Sequence, residues 1–352
     1  MKPHLAGRLH AQGLGVPRFA TAGEVVRHLG CVQSQLHDMA LWAVARRMTG
    51  DPTHAELQAS FDAGEFLRTH VLRPTWHFVD PADVHWLLAL TGPRVERLMS
   101  ASNRTIDLTP AAVQRGVAVV VAGLADGAPR TRAELAVLLR EAGLPDAGQA
   151  LAHVVMQAEI EQAVVNGPMR GKQHTYRLLP PAPSPVPGRD ELLADVARRY
   201  ARGHGSFRDK DLAWWTSLTL TDSRRAIELA DLRPTTVDGD TYWLLDDPVE
   251  EPVPRVMLLS NFDEYISYAR DPDDYAGFTG SVEDVMRASG LLLVDGRLAG
   301  RWSRTVTTKR VDVVVEQADG LTAVLRRHLE AEAAAFARYL QREPVLTIRT
   351  TK

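Results

Sequence analysis

Two glutamines one residue apart, Gln33 and Gln35, stand in the run Cys31-Val32-Gln33-Ser34-Gln35-Leu36-His37. A carboxamide is neither a strong base nor a favoured metal ligand. Its carbonyl oxygen can orient a water and stabilise a passing positive charge. That suits a reaction whose leaving group is already activated. Residues i and i+2 of a regular helix face apart, so two converging amides require a helix start or a distorted turn, and Gly30 supplies a local break. The competing reading is a pair of polar residues that cap or solvate a helix end. Downstream, Arg73, Thr75 and His77 alternate along a candidate strand and so point the same way. They either support the glutamines or meet an anionic backbone; the alternative is a polar strand face with Trp76 and Phe78 buried opposite. Ten of the twelve histidines precede residue 181, yet no pair has the spacing of a helical metal site beside a third ligand, so no metal and no cofactor is expected.

The elements that must position these residues follow a repeated order. Thr21-Ala22-Gly23-Glu24 and Thr131-Arg132-Ala133-Glu134 read as capping boxes. Leu135, Leu138, Leu139 and Ala142 have helical spacing, Gly143-Leu144-Pro145 ends that helix, and Leu151, Val154, Val155 and Ala158 mark a second one. A hairpin pattern follows, from Ala163 to Leu178, with the basic turn Arg170-Gly171-Lys172. Helix, turn, helix and a two-stranded wing make a winged helix. The same order occurs less cleanly before it, with a wing over 66–79, and again after it. There, Ser206-Phe207-Arg208-Asp209 reads as a cap before Trp214-Trp215, and Asp238-Gly239 turns a hairpin. Five prolines between Leu178 and Gly188 forbid a helix and mark a linker. Towards the C-terminus, Val256–Leu259 and Val311–Val315 read as strands, Asp295-Gly296 as a hairpin turn, and about 321–341 as a helix. The expected fold is α+β: three tandem winged helices with a C-terminal mixed α/β extension, forming one concave surface. The expected domains are 1–108, 109–179, a linker over 180–189, and 190–352.

Composition bounds the rest. A chain of 352 residues, 45% hydrophobic and 24% charged, can build ordinary globular cores. One cysteine rules out an internal disulfide and a four-thiolate zinc site. No long apolar run reads as a secretory signal or a membrane span, so a cytoplasmic monomer is expected. The net charge of −3 argues against a general nucleic-acid binder. The charge is uneven, however. Residues 1–180 carry 18 basic and 16 acidic side chains, and the remainder carries 23 and 28.

Taken in order, Gln33-Ser34-Gln35, Arg73-Pro74-Thr75-Trp76-His77, Gly203-His204-Gly205 before Asp211-Leu212-Ala213-Trp214-Trp215, Phe262-Asp263-Glu264-Tyr265, and Asp295-Gly296 before Gly300-Arg301-Trp302 form a set. That set resembles the winged-helix DNA glycosylases of the AlkZ and YcaQ type over nearly the whole chain. In that family a Gln-x-Gln or Gln-x-Asp motif carries catalysis, and this sequence matches the Gln-x-Gln branch, with Ser34 where an apolar residue is usual. The resemblance implies a monofunctional DNA glycosylase that removes bulky or cationic alkylated purines. In some members it extends to unhooking interstrand crosslinks and to self-resistance against DNA-alkylating natural products. The partner would be double-stranded DNA carrying alkylated purines.

The chemistry agrees with the residues. Alkylation at purine N7 or N3 makes the base a cation, so acid catalysis is dispensable. Stabilising the electron-poor sugar and delivering water remain. Gln33 and Gln35 are expected to share these two tasks, in either order. Lys2 is the only lysine before Lys172, which disfavours a Schiff base. Arg170 and Lys172 at the wing tip, and the basic stretch Arg297, Arg301, Arg304, Lys309 and Arg310, are candidate DNA contacts. Solvated turns and a charge-guarded strand edge are the alternatives. Trp214, Trp215 and the 262–265 run read as core and polar supports, with Asp263 or Glu264 as a candidate for tuning the site. A wide concave surface would reach the sugar while a bulky adduct stays in the duplex, sparing the cost of flipping. The rival reading is a non-catalytic winged-helix DNA binder, either a transcription regulator or a lesion binder. The 148–161 helix carries no Lys or Arg for major-groove reading, which weighs against it.

Overall fold

The computed structural model describes residues 3–182, 184–247, 252–268, 289–317 and 322–350. Pro183 of the expected linker and Leu321 at the expected start of the last helix lie outside these residues. The fold mixes helices with small sheets. It opens with α1 (Pro3–Ala11), α2 (Ala22–Leu29), β1 (Cys31–Gln33), α3 (His37–Ala45), α4 (His54–Ala63), β2 (Leu67–His70) and β3 (Trp76–Val79). Thr21 caps α2 through a complete capping box, and Gly30 ends it at φ 80°. Any side chain at Gly30 would sit 3.3 Å from the Trp215 ring. The turn therefore needs glycine twice over, for its left-handed backbone and for its close neighbour.

β1, β3 and β2 form an antiparallel sheet in that order, with Gln33 opposite His77 and Thr69 opposite His77 from the other side. Only His77 of the expected Arg73–Thr75–His77 strand is in a strand. Leu72 adopts φ 65° and Pro74 follows, so residues 72–75 form a bend instead. Leu72 in this conformation is strained, and its N–H is held by Thr91 Oγ1 at 3.2 Å. Thr91 belongs to the long helix α5 (Val84–Arg104), which contains Pro93.

The middle of the chain contains α6 (Pro110–Gly123), β4 (Arg130–Thr131), α7 (Arg132–Glu141), α8 (Gly148–Ile160), β5 (Val164–Arg170) and β6 (Gln173–Leu178), with the three strands in one sheet. The Thr131–Glu134 capping box is present. Described residues between Leu178 and Arg189 form neither helix nor strand. Then come α9 (Arg189–His204), α10 (Asp209–Thr216), α11 (Leu220–Leu229) and the hairpin β7 (Arg233–Val237)–β8 (Asp240–Leu244). The cap of α10 is Arg208, not Ser206. The Asp211 carboxylate accepts the Arg208 backbone N–H at 2.7 Å and fixes the first turn.

The C-terminal sheet has the order β13-β12-β11-β10-β9, built from β9 (Val256–Leu259), β10 (Gly290–Val294), β11 (Arg297–Val306), β12 (Arg310–Gln317) and β13 (Glu343–Thr350). Helix α12 (Ala323–Leu340) carries the chain from β12 to β13, which pair in parallel. Gly290 makes room for the Trp302 indole, because a Cβ there would collide with the ring nitrogen. One hydrophobic core joins Trp42 and Phe78 near the start of the chain to Trp302 and Phe336 near its end. The first helices and the last sheet are therefore packed as one body, and this contact carries the Gln33 region to the 260–266 loop. Among the described residues, no helix is long and apolar enough to cross a membrane.

Candidate active site

Gln33 ends β1 as a strand residue, and Gln35 lies in the bend just before α3. The motif thus joins a strand end to a helix start, where the sequence had suggested only a helix start or a turn. Ser34 is locked between the two glutamines: its N–H donates to Trp76 O at 2.7 Å, and its carbonyl accepts from Arg68 Nε and Nη2 at 3.2 and 3.1 Å. Arg68 is buried, covers the Trp76 ring, and is held from behind by Asn166 Oδ1. Asn166 leans on Glu159, which bonds His70. The Ser34 hydroxyl is buried without a hydrogen-bond partner.

Gln33 is half-buried and Gln35 exposed. Arg73 Nη2 donates to Gln33 Oε1 at 3.0 Å, which fixes which end of that amide faces the guanidinium. Arg73 also donates to Trp215 O at 2.6 Å and to His77 Nε2 at 3.2 Å, and it stacks 4.6 Å from the Trp214 ring centre. Since His77 Nε2 accepts, its Nδ1–H donates to Thr75 O at 2.9 Å. Burial, reinforced by the Arg73 charge, pushes the His77 pKa down to about 3, so the ring is neutral.

Behind Gln33 lies Glu264, wholly buried. It accepts the Gln33 backbone N–H at 2.8 Å, Trp215 Nε1–H at 3.1 Å and His204 Nε2–H at 3.2 Å. Burial alone would raise its pKa. The His204 bond and nearby positive charge, Arg73 included, overcome that and bring it to about 2, leaving a carboxylate. Burial lowers the pKa of His204 itself. Glu264 opens a short 3-10 turn, Glu264–Ile266, that is anchored by its neighbour. Asp263 receives Arg47 Nη2 at 2.8 Å and Nη1 at 3.2 Å in a fully buried pair, and Arg47 also donates to Gln12 and Ala43. Phe262, at φ 55°, is a second strained residue beside the site.

The structure therefore gathers Gln33, Arg73 and His77 in one cluster and leaves Gln35 exposed two residues on. Gln35 Oε1 accepts only a long bond, 3.4 Å, from Trp76 N. Thr75 contributes its carbonyl, while its hydroxyl is buried without a partner. The other candidate contacts divide. Arg170 is tied to Glu134 and Pro129 O, both at 2.7 Å, while Lys172 is exposed at the hairpin turn. The basic stretch of the C-terminal sheet is not one patch. Arg297 starts β11 at the Asp295-Gly296 turn, and Lys309 and Arg310 sit at the opposite end, about 30 Å of strand away. Arg301 pairs with Glu316 and Arg310 with Asp312. Arg304 is turned towards the site: it donates to Asn261 Oδ1 at 3.3 Å and feels the charge of Asp38, three residues past Gln35.

Trp214, expected in the core, is 38% exposed and covers Arg73. Only Trp215 is core, and its indole N–H serves Glu264. Arg47, Gln12 and Arg68 had no sequence signal, because each acts through a partner tens or hundreds of residues away. Among the described residues no three metal-ligating side chains converge.

The family model for DNA glycosylase AlkZ-like proteins matches residues 26–339. No curated protein sequence matches the chain. Among solved structures, the Streptomyces sahachiroi DNA glycosylase AlkZ superposes with a TM-score of 0.78 at 23% identity. That alignment covers 99% of this chain and 98% of the other, a likeness of fold.

Proposed function

Because the chain belongs to the AlkZ-like DNA glycosylase family, we propose that it hydrolyses the N-glycosidic bond of cationic or bulky alkylated purines in duplex DNA, N7-alkylguanine and N3-alkyladenine among them. Gln33 and Gln35 are its catalytic residues. The observation that carries this reading is the proton inventory around Gln33. Among the described residues, the carboxyl that meets Gln33 is ionised and accepts three donors, and the imidazole that shares Arg73 has both nitrogens engaged. Among the described residues in contact with Gln33, no acid stands ready to protonate a neutral base. The substrate must bring its own positive charge.

In this reading the C1′–N bond breaks with its electron pair leaving on the base, so an N7-alkylguanine cation departs neutral. The amides stabilise the electron-poor sugar and hold a water against C1′. The water oxygen bonds to C1′, and its proton passes to solvent. No lysine takes part, so the enzyme is monofunctional. The three helix-hairpin units serve as winged helices, 1–108, 109–179 and 190–352, presenting a concave face to DNA. Lys172 and Lys309 reach phosphate from two hairpin tips, with Arg304 between them and the motif. Arg170, Arg301 and Arg310 hold carboxylates and shape those hairpins. A cytoplasmic monomer, the unhooking of crosslinks and self-resistance to a DNA-alkylating natural product complete the proposal.

The test is a duplex containing one N7-methylguanine. Wild-type protein should generate alkali-labile abasic sites with no direct strand break, and Gln33→Ala/Gln35→Ala should lose this activity while still binding DNA. Binding without base release by the wild type would make it a non-catalytic DNA binder and overturn the proposal.

A further inference from the structure

A guanidinium beside a sugar that takes over the positive charge of the base is a liability. Arg73 lies 3.0 Å from the Gln33 amide oxygen. Moving a unit positive charge from a base about 9 Å away to a sugar about 6 Å away, across an effective dielectric of about 20, costs about 0.9 kcal/mol and slows the step about fivefold. The site answers with a closed circuit. Gln33 gives its backbone N–H to Glu264 and its side-chain oxygen to Arg73, and Trp215 gives its indole N–H to Glu264 and its backbone oxygen to Arg73. The two charges never touch. They are bridged twice, once through the motif and once through the tryptophan.

We propose that Glu264 and Arg73 are a positioning pair for Gln33. Arg73 fixes the direction of the amide, and Glu264 holds the motif backbone while cancelling the Arg73 charge that would otherwise oppose the sugar cation. This rests on the glycosylase reading above. A purely structural role would need only the hydrogen bonds, and glutamine in place of glutamate could keep an acceptor for the Gln33 N–H. The charge role needs the carboxylate. Trp214 fits the same purpose by covering Arg73 with an aromatic face, which favours a guanidinium without adding a competing anion.

The experiment is single-turnover excision of N7-methylguanine by wild type, Glu264→Gln, Arg73→Gln and the double variant, with DNA affinity and near-ultraviolet circular dichroism as controls. Glu264→Gln should lower the rate about fivefold at unchanged DNA affinity. Adding Arg73→Gln should raise the rate again, about twofold above Glu264→Gln alone, because the unbalanced charge has gone. A double variant no faster than Glu264→Gln overturns the charge role, since broken hydrogen bonds cannot be mended by breaking more. Should Glu264→Gln not fold, Arg73→Lys carries the test. It keeps the charge but loses the double grip, and should slow the chemical step about twofold at constant affinity; an unchanged rate overturns the positioning role. A wild type that leaves the base in place overturns this proposal together with the glycosylase reading. A wild type that cuts no faster than Glu264→Gln overturns this proposal alone.

Discussion

The rate of base release should be independent of pH from about pH 6 to 8.5. A general acid with the ordinary histidine pKa of about 6.5 would lose about tenfold in rate per unit above it, or about 100-fold by pH 8.5. Of the described groups that touch Gln33 or its Arg73 partner, His77 sits at about 3 and Glu264 at about 2, both outside that window. The lower edge of the usable range is set by folding. The native pKa of His77 is about 3 and that of His37 about 4, both below the ordinary 6.5 because burial disfavours the charged ring. Protons therefore favour the unfolded chain. The stability from keeping these rings neutral is complete above pH 6.5 and is lost progressively as pH falls through 6.5 towards the native values. At pH 5 the loss is about 1.5 units for each ring, or about 2 kcal/mol apiece. Single-turnover excision of N7-methylguanine across the range, paired with urea unfolding at pH 7 and pH 5, measures both effects. A logarithmic rate falling with unit slope between pH 6.5 and 8.5 in folded protein would refute the proton inventory. Equal stability at pH 7 and pH 5 would refute the neutral buried rings.

Asp263→Ala strips Arg47 of its counter-charge inside the protein and leaves only the Gln12 and Ala43 acceptors. Urea unfolding should show a loss of about 3–5 kcal/mol, and a loss below about 1 kcal/mol would contradict the buried pair. Ser34→Ala removes a hydroxyl that has no partner, so it should stabilise by up to about 1 kcal/mol with excision unchanged; marked destabilisation would mean that the hydroxyl is satisfied after all. Arg304→Ala/Lys309→Ala should weaken binding of any duplex and flatten the dependence of log affinity on log salt by about 1–2. An unaltered slope would remove both from the DNA face.

What was legible in the sequence was local. The Thr21 and Thr131 capping boxes close over three residues, and the Asp238-Gly239 and Asp295-Gly296 turns need only their own backbone, so pattern sufficed. The glutamine pair was visible because amides so spaced stand out. The strand that ends in Gln33 was not, because β1 is three residues long and exists only by pairing with β3. The alternation of Arg73, Thr75 and His77 imitated a strand, but Leu72 in a left-handed conformation and Pro74 turn the chain there. Parallel strand β13 gave no signal, since its partner lies across a helix. Asp263 and Glu264 stood as alternative candidates for tuning the site, undivided because the contact that distinguishes Glu264 is with a residue 231 positions away.

That separation has a bearing on how the molecule comes into being. A ribosome that has delivered residues 1–259 has already made both glutamines, Arg73 and the tryptophan pair, yet none of these has the carboxylate that balances the guanidinium. The reactive centre is wired to a component far along the chain, so it is completed only after Glu264 has emerged. An unfinished chain, or one cut short before that point, is born disarmed.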